Sequence, residues 1–132
     1  MKDVDLECLP WSEELEAASI AECDIGVMPL SDSPWERGKC GYKLVQYMAC
    51  GLPVVASPVG ANVQLVQPGM NGWLADTPAE WVQHLQHLLT DPAARTRMGQ
   101  DGRARVEAEY SIQRTAPKLT QLLKTAAQSV VA

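Results

Sequence analysis

The stretch Gly38–Gly60, GKCGYKLVQYMACGLPVVASPVG, reads as a loop, a helix, a buried strand and a second loop in close succession. Within residues 42–50, Leu44, Val45, Met48 and Ala49 fall at helical spacing and form an apolar stripe. Gly51 ends that helix, because glycine enters the left-handed region without steric cost, and Pro53 cannot continue it. Pro53-Val54-Val55-Ala56 is a short apolar run without polar alternation, the form of a parallel strand covered on both faces. Ahead of the helix, Gly38 and Gly41 leave room for a ligand to approach the backbone. The unpaired N–H groups of a helix start, with the positive end of its dipole, suit an anion such as phosphate. Lys39 and Lys43 add positive charge there, and Arg37 sits just upstream.

Working outward, Val4 to Leu9 alternates weakly and reads as a strand, with an edge position suggested by its acids. Ser12 is placed to cap a helix whose first turn holds Glu13 and Glu14, with Leu15, Ala18, Ile20 and Ala21 facing inward. Residues 24–28 form the next strand, and residues 30–39 a polar loop at its carboxyl end, where open α/β sheets place their ligands. Past the central strand, residues 63–66 make at most a short helix, and residues 68–72 a turn before a last strand at 73–75. Thr77-Pro78-Ala79-Glu80 is a capping box with proline at the first helical position. Trp81, Leu85, Leu88 and Leu89 supply that helix's buried face. Asp91-Pro92 restarts a helix to about Ala108, across Gly99 and Gly102, each costing ~1 kcal/mol relative to alanine. Tyr110-Ser111 breaks it, and a final helix carries Ile112, Leu119, Leu122 and Leu123, with Pro117 expected to bend it. The order is that of a partial doubly wound, Rossmann-like α/β fold: a parallel sheet flanked by helices, in one domain spanning residues 1–132.

Hydrophobic content of 46% and charged content of 20% are ordinary globular values. A net charge of −5 argues against a general nucleic-acid binder. The bases crowd the last third, where Arg95, Arg97, Arg103, Arg105, Arg114, Lys118 and Lys124 lie. Such a surface suits an anionic membrane, although a solvated face is the plainer reading. Cys8, Cys23, Cys40 and Cys50 are scattered, which reads as reduced thiols. With no apolar run near the ~20 residues of a membrane span and no signal-peptide core, the expected location is cytoplasmic.

Tyr47-Met48-Ala49-Cys50-Gly51-Leu52-Pro53-Val54-Val55-Ala56-Ser57 resembles the E-x-M-A-x-G-x-P-V-V-A-S signature of retaining GT-B glycosyltransferases, the group 1 or family 4 class. Asp24 to Leu30 is similar to that class's D-x-x-x-x-P strand, and Val59-Gly60 with Asn71-Gly72-Trp73-Leu74 to its G…N-G-x-L segment. Glu80-Trp81, Leu88-Leu89, Met98-Gly99 and Tyr110-Ser111 fit its C-terminal helices. The resemblance implies the C-terminal portion of a GT-B donor domain, without the N-terminal acceptor domain and without the first strands that supply a phosphate-gripping Arg and Lys.

It also implies roles for residues. Backbone at Cys40, Gly41 and Tyr42, with Gly38, Lys39 and Lys43 beside it, corresponds to the loop that holds the donor diphosphate. Fixed donors there stabilise the charge that builds on the leaving group, so no metal is expected. The family's paired glutamates, eight positions apart, fall on Gly38 and Gln46. Gln46 still bonds ribose hydroxyls, losing a charge-assisted bond worth ~1 kcal/mol. Gly38 supplies no carboxylate to the sugar, and Glu36 and Asp32 are the nearest replacements.

Plainer readings stand beside these. Gln46 reads equally well as an exposed helix residue, His84 and His87 as a solvated polar face, and Trp73 and Trp81 as core. Trp35 is the tryptophan placed to meet base or sugar, while Cys40 and Cys50 read as small buried fillers. The expected function is binding of a UDP- or GDP-sugar, with no cofactor, by a transferase portion inactive alone and prone to self-association. The rivals are a sugar-nucleotide epimerase or hydrolase of the same fold and a non-catalytic scaffold.

Overall fold

The computed structural model describes residues 4–129. Three short strands, β1 (Gly26–Met28), β2 (Val54–Ala56) and β3 (Gly72–Leu74), form one parallel sheet in the order β1-β2-β3. Helix α1 (Glu13–Ala21) precedes β1, and α2 (Pro34–Arg37) and α3 (Tyr42–Ala49) join β1 to β2. One turn, α4 (Asn62–Leu65), precedes β3. Then follow α5 (Pro78–Thr90), α6 (Pro92–Arg105), a π-helical turn at Val106–Tyr110 and α7 (Ile112–Ser129).

The sheet explains why Val54-Val55-Ala56 lacks polar alternation. β2 is the middle strand, in register Gly26↔Val54 on one side and Val54↔Gly72 on the other, and all three of its residues are fully buried. Successive side chains on a strand point to opposite faces. Val54 and Ala56 accordingly join Leu44 and Met48 of α3, Leu65, Val66 and Val106, whereas Val55 joins Ala75, Leu88 and Met98 on the other face. The α3 stripe is narrower than its sequence suggests. Leu44 and Met48 are enclosed, Val45 is half-buried and Ala49 is exposed.

Several expectations are corrected. Val4 to Leu9 is exposed irregular chain and not a strand, because it pairs with nothing and among the described residues β1 pairs only with β2. Leu15, Ala18 and Ala21 of α1 are exposed and Ile20 is half-buried. Those four positions are spread around the helix, so no single stripe faces inward. The first strand is three residues, with Asp24 and Ile25 before it. Residues 30–39 are not all loop. Ser33 accepts a hydrogen bond from the Glu36 N–H and starts the turn α2, with Pro34 at its first position. Leu89 is 64% exposed, since Trp81, Leu85 and Leu88 already fill the sheet-facing side of α5. The sixth helix stops at Arg105, and the Ser111 N–H bonds Val106 five residues back, which makes the π turn. Ile112, Leu119, Leu122 and Leu123 on α7 are exposed.

Gly99 does more than lower helix propensity. A side-chain carbon there would press on the Gly51 carbonyl, so glycine lets α6 lie directly on the turn between α3 and β2. The Thr77 capping box forms as its sequence implies: Thr77 Oγ1 accepts the Glu80 N–H at 3.3 Å, and Glu80 Oε2 accepts the Thr77 N–H at 2.9 Å.

Candidate functional site

The carboxyl end of β1 and the start of α3 enclose a groove of about 430 Å³ lined by Met28 and residues 38–43. Gly41 caps α3 with φ 71° and ψ 22°, the left-handed region that suits glycine, and it lies against Leu65 so closely that a side-chain carbon would overlap it. No side chain caps this helix. Among the described residues, the backbone N–H groups of Cys40, Gly41, Tyr42 and Lys43 donate to no protein acceptor. Four consecutive donors at the positive end of a helix therefore border an open groove.

Two long-range ties place this corner. Gly60, at φ 55°, stands where a side-chain carbon would come within 2.7 Å of the Arg37 carbonyl oxygen, so the residues leading into Gly38 rest on the loop after β2. Ser57 Oγ, at the end of β2, accepts the Leu30 N–H at 2.9 Å and fixes where the chain leaves β1. Asn62 and Asn71, nearly fully buried, donate to the Ser57 and Leu65 carbonyls and brace the same region. Sequence reasoning gave Ser57, Gly60, Asn62 and Asn71 no role at the site. Ser57, Gly60 and Asn71 stand in the signature segments quoted above, which mark the family but not what each residue braces.

The predicted site residues fall into two sets. Gly38, Lys39, Cys40, Gly41, Tyr42 and Lys43 do line one groove. Cys40 is exposed and not a buried filler, because the loop holds its backbone at the groove rim. Gly38 has an ordinary φ of −78°, and a side-chain carbon there would meet only carbonyl oxygens at 3.4 Å and beyond, so nothing local demands glycine. Asp32 and Glu36 are already engaged. Asp32 accepts a two-pronged bond from Arg37, Nε to Oδ1 at 2.6 Å and Nη2 to Oδ2 at 2.8 Å, which holds its carboxyl below the usual range. Glu36 accepts the Ser33 hydroxyl, which lowers its carboxyl too, and lies 3.9 Å from Lys39 Nζ. Trp35 is 79% exposed and does not line the groove.

Gln46 is half-buried, not an exposed helix residue. Its amide donates to Glu16 Oε2 at 2.8 Å, and Lys43 Nζ bonds Glu16 Oε1 at 2.7 Å, so a residue of α1 joins the two polar side chains of α3. Sequence reasoning missed Glu16, which lies 27 and 30 residues from its partners. Cys50 is half-buried against Ala17, and burial pushes its thiol up. His84 and His87 are not simply solvated. His84 stacks on Trp73 at 4.7 Å with the planes 2° apart, and His87 meets the same ring edge-on at 6.3 Å, so Trp73, half-buried and packed against the Val55 cluster, both edges the core and carries the two imidazoles. Among the described residues, no three His, Cys, Asp or Glu side chains gather where they would hold a metal ion, and no helix is long and apolar enough to cross a membrane.

Comparison with known proteins matches this architecture. A family model described as glycosyl transferases group 1 covers residues 4–91. The GDP-mannose-dependent monoacylated alpha-(1-6)-phosphatidylinositol monomannoside mannosyltransferase of Corynebacterium glutamicum is 34% identical over 81% of this chain and 29% of its own length. Sucrose-phosphate synthase from Thermosynechococcus elongatus superposes with a TM-score of 0.78 and 29% identity, over 89% of this chain and 28% of that one. An Anabaena protein solved with UDP and glucose shares the fold, with a TM-score of 0.72 at 22% identity, over 81% of this chain and 29% of its own. The chain thus spans less than a third of each of these relatives. Its three parallel strands and their helices are a portion of the GT-B glycosyltransferase fold. Since the matched residues include all three strands and the whole groove, the chain belongs to the group 1 glycosyltransferase family.

Proposed function

We propose that the groove at the start of α3 binds the diphosphate of a nucleoside diphosphate sugar, as the donor-side portion of a retaining, family 4 glycosyltransferase. The observation that carries this is the run of four backbone donors, Cys40 to Lys43, beside an open groove with Lys39 and Lys43 at its rim. Peptide dipoles fixed before the reaction need no reorganisation as negative charge grows on the departing diphosphate, so they favour the transition state over the ground state. The helix end and the lysines supply this charge stabilisation from the chain itself, and the reading needs no metal. Support comes from the relatives: one is named for GDP-mannose dependence and one was solved with UDP and glucose.

Residues 1–132 then form one unit, the C-terminal portion of a donor domain working in the cytoplasm, and the acceptor is held by other parts of the whole protein. Alone, the chain binds nucleotide and transfers nothing. A second reading, a non-catalytic nucleotide-binding domain, is favoured by the carboxylates. Gly38 offers none to the sugar, while Asp32 and Glu36 are turned to Arg37 and Ser33.

The test is an amide NMR titration with UDP, GDP and their glucose or mannose conjugates. The N–H signals of Cys40, Gly41, Tyr42 and Lys43 are expected to shift first and furthest. A flat response at millimolar nucleotide overturns both readings. Release of nucleotide from UDP-glucose or GDP-mannose by this chain alone overturns the expected inactivity and removes the non-catalytic alternative.

A further inference from the structure

Two exposed apolar surfaces of opposite charge lie outside the groove at the start of α3. The first is α7, which buries none of its residues. At about 3.6 residues per turn, Ile112, Leu119, Leu122 and Leu123 share one side of that helix. They are 58% to 71% exposed. The charged residues of α7 are Arg114, Lys118 and Lys124, all basic. Among the described residues, none of the three is in an ion pair. The acids just before the helix, Glu107 and Glu109, are already paired with Arg103 and Arg105. The second surface is the N-terminal arm, residues 4–11, with the first turn of α1. It carries Asp5, Glu7, Glu13 and Glu14 and no base. Val4, Leu6, Leu9 and Trp11 along it are 55% to 73% exposed. We propose that these surfaces bind one another between two copies of this chain, the arm of one lying along α7 of the other.

Charge complementarity identifies the occupant. Each surface combines an apolar side with charge of one sign, and the sign on one answers the sign on the other. Both are exposed in a single chain, so its own arm does not cover its own α7. Their lengths agree. An 18-residue helix is about 27 Å long, and eight residues of extended chain reach about as far. The arm is irregular and pairs with nothing, so it lies down on a neighbour without breaking a strand. An anionic lipid surface would also attract α7, but it would repel the acidic arm of a chain whose net charge is −5. A second copy supplies opposite charge and apolar side chains together. Reciprocal exchange closes a two-fold dimer and one-way contact extends a chain of copies, and the arm–α7 contact is the same in both. The inference is independent of the diphosphate reading.

Sedimentation velocity of the whole chain over a concentration series tests it. Species larger than the monomer are expected at low salt, and their association should weaken several-fold in about 0.5 M NaCl, where charges are screened. Asp5→Lys with Glu7→Lys reverses the arm, and Lys118→Glu with Lys124→Glu reverses α7; all four side chains are exposed. Each reversal should weaken association about tenfold or more. Mixing the two reversed chains is the decisive step. Every arm then meets an α7 of opposite charge on the other variant, so mixed species should form about as readily as the unaltered chain associates. Leu122→Ser should weaken association and leave its salt dependence unchanged. A chain that stays monomeric up to about 1 mM overturns the proposal. So does association that neither reversal touches, or a mixture of folded variants that stays monomeric. Binding of the unaltered chain to phosphatidylglycerol vesicles, lost when α7 is reversed and kept when the arm is, gives α7 to a lipid surface and overturns it as well.

Discussion

Around β2, contacts are enclosed and made by shape. Val54, Val55, Ala56, Leu44 and Leu88 expose nothing to solvent, and Gly99 brings the α6 backbone against the Gly51 carbonyl. Around the rim formed by α1, α2 and the start of α3, contacts are made by charge. Asp32–Arg37, Glu36–Lys39 and Glu16–Lys43 are ion pairs whose basic side chains are 44% to 63% exposed. The enclosed region has no slack, since densely packed interiors respond to a single added methyl. Solvent-exposed ion pairs contribute little to stability and are easily exchanged. The scaffold is therefore fixed while the ligand rim can change its carboxylates. The position of Gly38, which would accept a side chain without clash, illustrates that freedom.

The largest expected effect tests the enclosed side. Gly99→Ala puts a carbon into the Gly51 carbonyl, a backbone atom that cannot rotate away. The α6 helix must lift from the α3–β2 turn, and urea unfolding should show a loss of about 3 kcal/mol. A loss below about 0.5 kcal/mol, as at an ordinary surface site, would mean that the two backbones are not in contact and the contrast between the regions fails.

What the sequence revealed follows the same division. The helix at Tyr42–Ala49, the strand at Val54–Ala56 and the capping box at Thr77 are decided by residues within a few positions of one another, and they appear where local rules put them. Gly99 was legible only as a cost, because its compensation lies at Gly51, far along the chain. Val4–Leu9 has the alternation of a strand, but a strand needs a neighbour, and no residue type within the segment supplies one. Glu16 was invisible for a related reason. It is one acid among several in an acidic first turn until folding brings it to Lys43 and Gln46. Ser33-Pro34-Trp35-Glu36 differs, for it carries the same pattern of hydroxyl, proline and glutamate as Thr77-Pro78-Ala79-Glu80. The proline-containing polar surroundings made it read as loop.

The Thr77 box gives an intermediate effect, since it starts a helix whose Leu88 lies in the core. Thr77→Ala should cost about 1 kcal/mol in urea unfolding. The Glu80 carboxyl is held below its ordinary value of 4.5, first by the Thr77 N–H and then by that of Asp76. A folded-state value below the unfolded one means stabilisation that is complete above about pH 4.5 and drains away as the pH falls through the lowered value. Glu80→Gln should therefore flatten the acid side of the thermal-midpoint curve below pH 4.5. Parallel curves for the two proteins across that range would show that the box contributes no proton linkage.

Ser33→Ala deletes the same kind of cap in the other region, and the expected effect is the smallest. The α2 turn buries none of its four residues, so it opens without disturbing the sheet or either core cluster. Global stability should stay within about 0.5 kcal/mol of the unaltered chain. The change should appear locally instead. Loss of the Ser33 hydroxyl removes the first cause of the lowered Glu36 carboxyl, which should titrate higher, and amide exchange at Arg37, whose N–H bonds the Ser33 carbonyl, should quicken. Equal losses of global stability in Ser33→Ala and Thr77→Ala would break the comparison, because one chemical device would then be worth the same at the rim as over the core. A loss confined to the turn means that a cap's contribution is set by what its helix covers, and that α2 opens while Gly41, packed on Leu65, keeps the start of α3 in place.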